Sequence, residues 1–269
     1  MPAAFSPPLD SRRISTALAG RAIGGEIQVH EELGSTNDWV RDLGLKGYRH
    51  GLVVFAESQS AGRGRRENRW HAAPGRDILM SVLLRPSARM EFWPRITALA
   101  ALAICRSMEI ARGLHPMIKW PNDVYLRDRK VAGILGETFQ SESGPYLVLG
   151  MGINVNTTQF SPDLGQPATS LSLEVAPSGT MLDRNALCIT LLQQLDQLLG
   201  HIDTEFAGPL AAVRQRSWLL GKRVMAVMAG GVVSGTAIDL NPEGHLIVRQ
   251  DHSGMVRTLT SVDQVRVAS

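Results

Sequence analysis

Short apolar runs and alternating apolar and polar positions mark the first third of the chain. Residues 26–33 (EIQVHEEL) alternate as a half-buried β-strand does, and residues 51–57 (GLVVFAE) and 77–86 (DILMSVLLRP) are compact apolar runs that predict buried strands. Between the first two runs, STNDWVRDL predicts the start of a helix with Ser35 or Thr36 as its N-cap. A glycine- and arginine-rich segment is therefore predicted to connect two central strands.

The middle of the chain changes between helical and strand patterns. Residues 94–112 predict a long helix, with Pro94 near its first turn and Gly113 beyond its end. Residues 116–126 (PMIKWPNDVYL) predict two short strands around a Pro-Asn-Asp turn, and KVAGILGETF and PYLVLGMGINVN predict a hairpin or meander. A second long helix with a leucine-rich face is predicted to follow Asp183, its candidate N-cap.

The pattern changes again near Gly221. Short strand-like segments then follow one another (RVMAVMA, VVSGTAIDL, HLIVRQ, MVRTLTS and VDQVRV), separated by turn sequences such as NPEG and DHSG. This spacing predicts a small antiparallel barrel of about 50 residues docked on a larger unit. We therefore expect two domains, residues 1–220 and residues 221–269.

Composition and charge are those of an ordinary globular protein. Of 269 residues, 44% are hydrophobic and 20% charged, and the net charge of +3 is too small to argue by itself for DNA or a membrane surface. Both cysteines lie in apolar, helix-like contexts and are expected to be buried, reduced thiols, and no Cys-x-x-Cys pair suggests zinc. There is no signal-peptide pattern, and the longest apolar run is shorter than the ~20 residues that span a bilayer, so a cytoplasmic protein without membrane contacts is expected.

Residues 56–70 (AESQSAGRGRRENRW) combine features suited to an anionic, nucleotide-derived ligand. Glycines let the backbone turn tightly and present N–H groups, and arginines bind phosphate or carboxylate oxygens in pairs. Trp70 offers a flat face on which a purine can stack. A solvated basic loop is the alternative. A dinucleotide-binding Gly-x-Gly-x-x-Gly is excluded because Glu67 replaces the third glycine, and no P-loop pattern is present.

A second motif, KWPNDVYLRDRKVAGIL at residues 119–135, places charges at two turns. The Trp-Pro-Asn-Asp turn carries Asp123, and the next turn delivers Lys130 directly before a strand. Lys130 can act as a point charge on a phosphate or carbonyl oxygen, and Asp123 can hold a cation or orient the lysine. Such residues are often plain surface residues, but the order of strand, charged turn, hairpin and glycine-rich GMGINVN favours a site. With no Ser-His-Asp order or Gly-x-Ser-x-Gly elbow, a reaction run by positioning and charge neutralisation is favoured.

Together, STN, QSAGRGRRxxRW, KWPND, DRKVAGIL.E and GMGINVN resemble, in order and approximate spacing, the motifs of a biotin protein ligase, or biotin–[acetyl-CoA-carboxylase] ligase. The resemblance covers about residues 30–269. It implies that biotin and ATP, with Mg²⁺ assisting, form biotinyl-AMP, from which a lysine of the biotin carboxyl carrier domain of acetyl-CoA carboxylase receives the biotin. It also implies an α/β (α+β) catalytic domain of the class II aminoacyl-tRNA synthetase and biotin/lipoate ligase type, followed by a small barrel of Src-homology-3 type.

The resemblance implies roles for individual residues. The expected biotin-binding residues are Ser35, Thr36, Asn37, Gln59, Gly62, Arg63, Gly64, Arg65, Lys130 and Gly133. The expected nucleotide-binding residues are Arg65, Arg66, Trp70, Asn122 and Asn154. Catalysis is expected to depend on Arg65, Lys130 and Asp123, with Mg²⁺ near Asp123.

Two places depart from the family pattern. Glu67 and Asn68 stand where glycine and a basic residue are usual, so Glu67 is expected to pair with a neighbouring arginine or to stiffen the loop. Farther on, Asp77 stands at a position where the family commonly has asparagine.

Three other functions fit the sequence less well. A bifunctional ligase and repressor needs roughly 60 residues of helix-turn-helix domain before the catalytic start, whereas about 30 precede Ser35, so DNA binding is not expected. A lipoate-type ligase shares the fold, but the arginine-rich loop with KWPND and KVAGIL favours biotin. A non-catalytic biotin-binding module would have little use for so many cations. Exposed strand edges leave a sheet-paired homodimer or carrier complex open.

Overall fold

The structure is a computed structural model that describes residues 6–66, 68–175, 181–200, 202–228 and 230–268. Within these ranges, one seven-stranded sheet has the order β1-β2-β3-β7-β6-β5-β4, and only β1 and β2 pair in parallel. Its strands are β1 Ile27–Leu33, β2 Val53–Gln59, β3 Ile78–Leu84, β4 Met117–Lys119, β5 Asp123–Leu126, β6 Arg129–Ser141 and β7 Gly144–Ile153. The predicted strands and the predicted hairpin are confirmed, and β2 and β3 are neighbours.

Helices cover both faces of this sheet. They are α1 Ser11–Ala17, α2 Thr36–Leu45, α3 Arg95–Arg112, α4 Leu171–Val175, α5 Arg184–Leu199 and α6 Ala207–Gln215, with a 3₁₀ turn at Met90–Phe92. Alternate side chains of β2 divide between two cores: Val53 and Phe55 lie in the core that includes α3 and α5, whereas Val54 and Ala56 lie in the smaller core that includes α2. The period of two along a strand therefore predicts this layering.

The ends of the predicted helices follow local capping chemistry. Gly113 ends α3 at a φ of 61°, in the left-handed region that glycine adopts readily. The carboxylate of Asp183 accepts a hydrogen bond from the amide of Ala186 at 3.2 Å, which confirms it as the N-cap of α5. Ser35 precedes α2 as its N-cap, but its side chain makes no capping hydrogen bond.

Helix α6 has no clear signal in the sequence. Phe206 precedes it and offers no capping side chain, and a glycine and a proline in its first turn, Gly208 and Pro209, are typical of a loop. Proline is tolerated there because the first amides of a helix have no partner within the helix. Packing on the main core, through Leu210 and Val213, stabilises the segment as a helix.

A second, five-stranded antiparallel sheet follows, with the order β11-β10-β9-β8-β12. Its strands are β8 Arg223–Met228, β9 Gly231–Leu240, β10 Leu246–Gln250, β11 Val256–Leu259 and β12 Gln264–Val267, as the spacing predicts. Buried side chains such as Val224 and Val248 join the main core, and the indole of Trp120 donates a hydrogen bond to the carbonyl of Gly244 at 3.1 Å. The second sheet therefore packs directly beside the KWPND turn.

The structure bears on the two cysteines and on whether a helix could span a membrane. Cys105 in α3 and Cys188 in α5 are buried and free, as expected, and burial raises the pKa of both thiols. None of the helices in the described ranges has the length and apolar character needed to cross a membrane.

Candidate active site

A cavity of about 730 Å³ lies where the two sheets meet. Its wall is built from the start of α2, the arginine-rich loop, the KWPND turn, the facing strands β6 and β7, and β12 of the second sheet. Ligand cavities in proteins commonly measure ~300–1,000 Å³, so this one is large enough for a nucleotide-sized ligand. Most of the predicted site residues line it: Ser35, Thr36, Asn37, Gln59, Arg63, Gly64, Arg65, Trp70, Asn122, Asp123, Lys130, Gly133 and Asn154.

One end of the cavity is a compact polar network at the start of α2. The hydroxyl of Ser81 lies 2.8 Å from the hydroxyl of Thr36 and 2.6 Å from the amide oxygen of Asn37. Gln59 accepts a hydrogen bond from the amide of Thr36 at 2.7 Å, and Asn37 donates to Glu137 at 2.8 Å. These groups are mostly buried and are held in place by one another. They can therefore recognise a small polar group of a ligand by hydrogen bonding.

The arginine-rich loop forms a short hairpin over the cavity. Gly64 donates from its amide to the carbonyl of Asn68 at 2.8 Å, and Trp70 donates to the carbonyl of Gly62 at 3.0 Å. Arg66 has a φ of 60°, a left-handed conformation that is uncommon outside glycine. Glu67, for which pairing or stiffening was predicted, lies outside the described residues.

Three arginines of the loop contact residues on different sides of the cavity. Arg63 lies 2.6 Å from Glu137 on β6, and Arg65 donates to the carbonyl of Val262 at 2.8 Å and to Asn122 at 3.3 Å. Arg66 forms an ion pair with Asp263, which directly precedes β12, and does not line the cavity. The loop is therefore held at both walls, against the main sheet and against the second sheet.

Trp70 packs closely against two glycines that face each other across β6 and β7. Gly133 and Gly152 are register partners, and a Cβ on Gly152 would come within 2.4 Å of the indole, and one on Gly133 within 2.9 Å. The indole N–H is buried and has no hydrogen-bond partner among the described residues. A buried donor without a partner is costly, which favours a ligand acceptor at this point.

Lys130 and Asp123 form an ion pair on the adjoining wall. Lys130 Nζ lies 2.7 Å from Asp123 Oδ1, although the contact lacks hydrogen-bond geometry. The ammonium group also lies 5.5 Å from the centre of the Trp70 ring. This contact fits one of the two roles predicted for Asp123, that of orienting the lysine, and leaves the other, holding a cation, as a prediction.

Asn122 and Asn154 have their amide groups engaged by the backbone. Asn122 donates to the carbonyl of Ile134 at 3.0 Å, and Asn154 donates to that of Thr169 at 3.0 Å. Both residues thereby fix the loops around the cavity as well as lining it.

Positive charge dominates the cavity. The cationic residues in its wall are Arg63, Arg65, Arg69, Lys119, Lys130 and Arg266, and among the described residues of the wall the carboxylates are Asp123 and Asp263. Burial lowers the pKa of Lys119, and burial together with Arg66 lowers the pKa of Arg65. Closely spaced, partly desolvated cations are stabilised by a bound polyanion, so the cavity suits a phosphate-bearing ligand.

The described residues hold no cluster of three metal-ligating side chains. Magnesium commonly arrives bound to nucleotide phosphates and takes only one or two carboxylates from the protein. Asp123 fits that pattern as a single carboxylate beside the cations.

Asp77 does not line the cavity but binds the segment that follows Asn154. Its buried carboxylate accepts hydrogen bonds from the amide of Val155 at 2.8 Å and from the hydroxyl of Thr157 at 2.6 Å, and the amides of Asn156 and Thr157 lie at 3.3 Å. Burial raises the pKa of this carboxyl group, and the hydrogen bonds oppose that effect. Asp77 thus shapes the segment that follows Asn154.

Several site residues escaped the sequence analysis. Ser81, Glu137, Lys119, Gly150 and Gly152 all line or support the cavity. A serine inside the apolar run DILMSVLL and repeated glycines in GMGINVN were the available signals. Their meaning depends on cross-strand pairing, since Ser81 faces Gly150 only because β3 and β7 are neighbours.

Comparison with known proteins agrees with this geometry. The biotin/lipoate A/B protein ligase family matches residues 30–154. The chain is 35% identical to the biotin–[acetyl-CoA-carboxylase] ligase of Mycobacterium tuberculosis over 97% of each chain, and 30% identical to the bifunctional ligase/repressor BirA of Bacillus subtilis over 95% of this chain and 78% of that protein. The fold is similar to that of the biotin protein ligase from Aquifex aeolicus in complex with biotin and ATP, with a TM-score of 0.78 and 23% identity over 90% of this chain and 99% of that chain.

Proposed function

This chain belongs to the biotin protein ligases of the biotin/lipoate A/B protein ligase family, and we propose that it attaches biotin to a lysine of the biotin carboxyl carrier domain of acetyl-CoA carboxylase, with ATP as co-substrate and biotinyl-AMP as intermediate. The observation that carries this proposal is one cavity with a polar network at one end and a cluster of cations beside Trp70 at the other. An acyl-adenylate needs both environments at once.

In the first step, a carboxylate oxygen of biotin attacks the α-phosphorus of ATP, the bond to the β-phosphate oxygen breaks, and pyrophosphate leaves. Both reactants are anions, so charge neutralisation is the main requirement. We assign this role to Lys130 and Arg65, with Mg²⁺ entering as part of the nucleotide substrate beside Asp123. The ion pair at 2.7 Å orients Lys130, because its carboxylate partner keeps the ammonium group in place.

In the second step, the neutral amine of the carrier lysine attacks the acyl carbon of biotinyl-AMP. The bond between that carbon and the phosphate oxygen breaks, AMP leaves with the electron pair, and the nitrogen loses a proton. The mixed anhydride is sensitive to water, so a closed loop protects it. The contacts of Arg63 and Arg65 to the two walls support this role for the loop.

The remaining assignments concern the pocket and the domains. The polar residues Ser35, Thr36, Asn37 and Gln59, with the backbone at residues 62–64 and at Gly133, are assigned to biotin. Trp70, Asn122 and Asn154 are assigned to the nucleotide, and Arg66 would have to leave Asp263 and turn into the cavity to contact it as the resemblance implies. We place the domain boundary near residue 220 and assign the five-stranded sheet to a small Src-homology-3-type barrel, which the antiparallel order supports.

The edge of the main sheet offers a place for partners. Strand β1 pairs only with β2 within the described sheet, so its other edge can accept a strand from a carrier domain or a second copy of the chain. A carrier complex is required by the proposed reaction, whereas a homodimer is a separate proposal that sedimentation analysis would test.

Intact-mass spectrometry of a carrier domain incubated with the chain, ATP and biotin tests the function. The expected result is the mass gain of one biotinyl group, lost when ATP is omitted or the acceptor lysine is replaced by arginine. Lipoate in place of biotin is the matched control, and we expect no gain with it. A gain with lipoate alone would overturn the assignment of biotin as the substrate.

A further inference from the structure

Arg184, the first residue of α5, is a charged side chain with no exposed surface. Buried arginines are rare and costly unless their donors are satisfied. Neither Arg184 nor its carboxylate partner Glu57 lines the cavity, so ligand binding does not explain the pair directly.

The guanidinium group of Arg184 contacts both stems of the arginine-rich loop, which are the end of β2 at Glu57 and the residue before β3, Asp77. Its Nη1 donates to the carboxylate of Glu57 at 2.7 Å and to the carbonyl of Asp77 at 3.0 Å. Glu57 lies near the end of β2, where the loop begins, and Asp77 directly precedes β3, where it ends. The amide of Gly75 donates to the carbonyl of Glu57 at 2.9 Å, which is a further contact between the two stems.

Two further donors of Arg184 bind the amino-terminal segment. Nε donates to the hydroxyl of Ser6 at 3.1 Å and Nη2 to the carbonyl of Pro7 at 2.9 Å, while Glu57 accepts the amide of Leu9 at 2.7 Å. Only a planar fork can reach acceptors on both stems and on the amino-terminal segment at once. A lysine would keep the charge and lose this geometry.

We propose that Arg184 and Glu57 are positioning residues that clamp the two stems of the loop and thereby set how firmly the loop retains the acyl-adenylate. This inference rests on the proposed function. The loop arginines and Trp70 reach the cavity from a segment that is anchored at its two stems, at its wall contacts and by the backbone bonds of Ser60 and Ala61 to Leu33 and Gly34. A shift of the stems therefore moves these groups together, and small displacements at a site are known to cost large factors in rate.

The test uses Arg184→Lys and Glu57→Gln in the full chain, with Arg216→Lys and Glu109→Gln as matched controls. Arg216 and Glu109 form a partly buried ion pair at 2.7 Å that touches neither stem of the loop. Melting temperature is measured for all variants. Two further measurements follow the loop itself: tryptic cleavage after Arg63, Arg65, Arg66 and Arg69 in the ligand-free protein, and release of biotinyl-AMP formed on the protein.

We expect trypsin to cleave the loop faster in both clamp variants, and biotinyl-AMP to be released about tenfold faster or more. The control variants should lose a similar amount of melting temperature but keep the cleavage and release rates of the unmodified chain. Wild-type cleavage and release rates in folded Glu57→Gln, the milder change, would overturn the clamp. So would equal increases in the controls. If the unmodified chain forms no biotinyl-AMP, the proposed function fails, and the cleavage rates of the ligand-free proteins still decide whether the clamp exists.

Discussion

Lys130 Nζ lies 2.7 Å from Asp123 Oδ1, and the two side chains are only 18% and 15% exposed. The pair joins the turn of the KWPND motif to the start of β6, which are brought together by the pairing of β5 with β6. The carboxylate of Asp123 holds the ammonium group of Lys130 at the cavity wall, where it can meet an incoming anion.

Removing the charge of Lys130 should abolish formation of biotinyl-AMP. For Lys130→Ala we expect pyrophosphate release with biotin and ATP to fall by about 10²–10³-fold, the usual effect of deleting one preorganised electrostatic contact. Lys46→Ala, which removes an exposed lysine on the far end of α2, is the control. Near-normal release by Lys130→Ala would exclude the role assigned to Lys130.

Arg65 should matter for retention of the intermediate. Arg65→Ala removes the hydrogen bonds to Val262 and Asn122, and hydrogen bonds of charged groups are worth about 1.5–3 kcal/mol. We therefore expect about 10–100-fold faster release of biotinyl-AMP and biotinylation of bystander amines, read by blotting a mixture of unrelated proteins. Arg12→Ala on the exposed face of α1 serves as the control. Unchanged fidelity would count against the loop as a lid.

Gly152 should be needed because the Trp70 indole rests on it. A Cβ there would lie 2.4 Å from the ring, so Gly152→Ala must displace Trp70 or the strand. We expect about 10²-fold lower kcat/KM for adenylate formation with little change in melting temperature. Gly136→Ala is the matched control on β6, because its Cβ would make an ordinary 3.4 Å contact with Thr97. Equal activity of the two variants would show that Trp70 does not depend on this close approach.

Asp77 should make stability depend on pH in a defined direction. Burial raises the pKa of its carboxyl group in the folded chain, so the folded state favours the protonated form. Its contribution is therefore fully present below the ordinary aspartate pKa of ~3.9 and is lost as pH rises through the raised value. Asp77→Asn removes that charge and keeps the oxygen that accepts the amides of Val155 and Asn156.

Melting temperatures of the unmodified chain and Asp77→Asn at pH 4 and pH 7 measure this effect. We expect the variant to gain on the unmodified chain as pH rises, while Asp163→Asn, an exposed surface change, shows no such trend. A difference between Asp77→Asn and the unmodified chain that is the same at both pH values would contradict the assigned burial effect.

Much of the fold and of the site was predictable from local pattern. Strands β2 and β3 follow from compact apolar runs, α3 from its period and Gly113, and α5 from Asp183, because periodicity and capping depend on neighbours in sequence. The two charged motifs were recognisable in the same way, since each of them lies within a short stretch of chain.

The sequence by itself determined most of the elements and the chemistry of the loop, because these arise within a few residues along the chain. It offered contact with Lys130 as one of two roles for Asp123, the other being to hold a cation. Only the tertiary structure decided that Gly152 lies beneath Trp70, that Ser81 completes the polar network of α2, and that Arg184 joins both stems of the loop. These relationships connect residues 44 to 127 positions apart. They depend on the order of strands in the sheet, which places distant segments side by side and which no local pattern encodes.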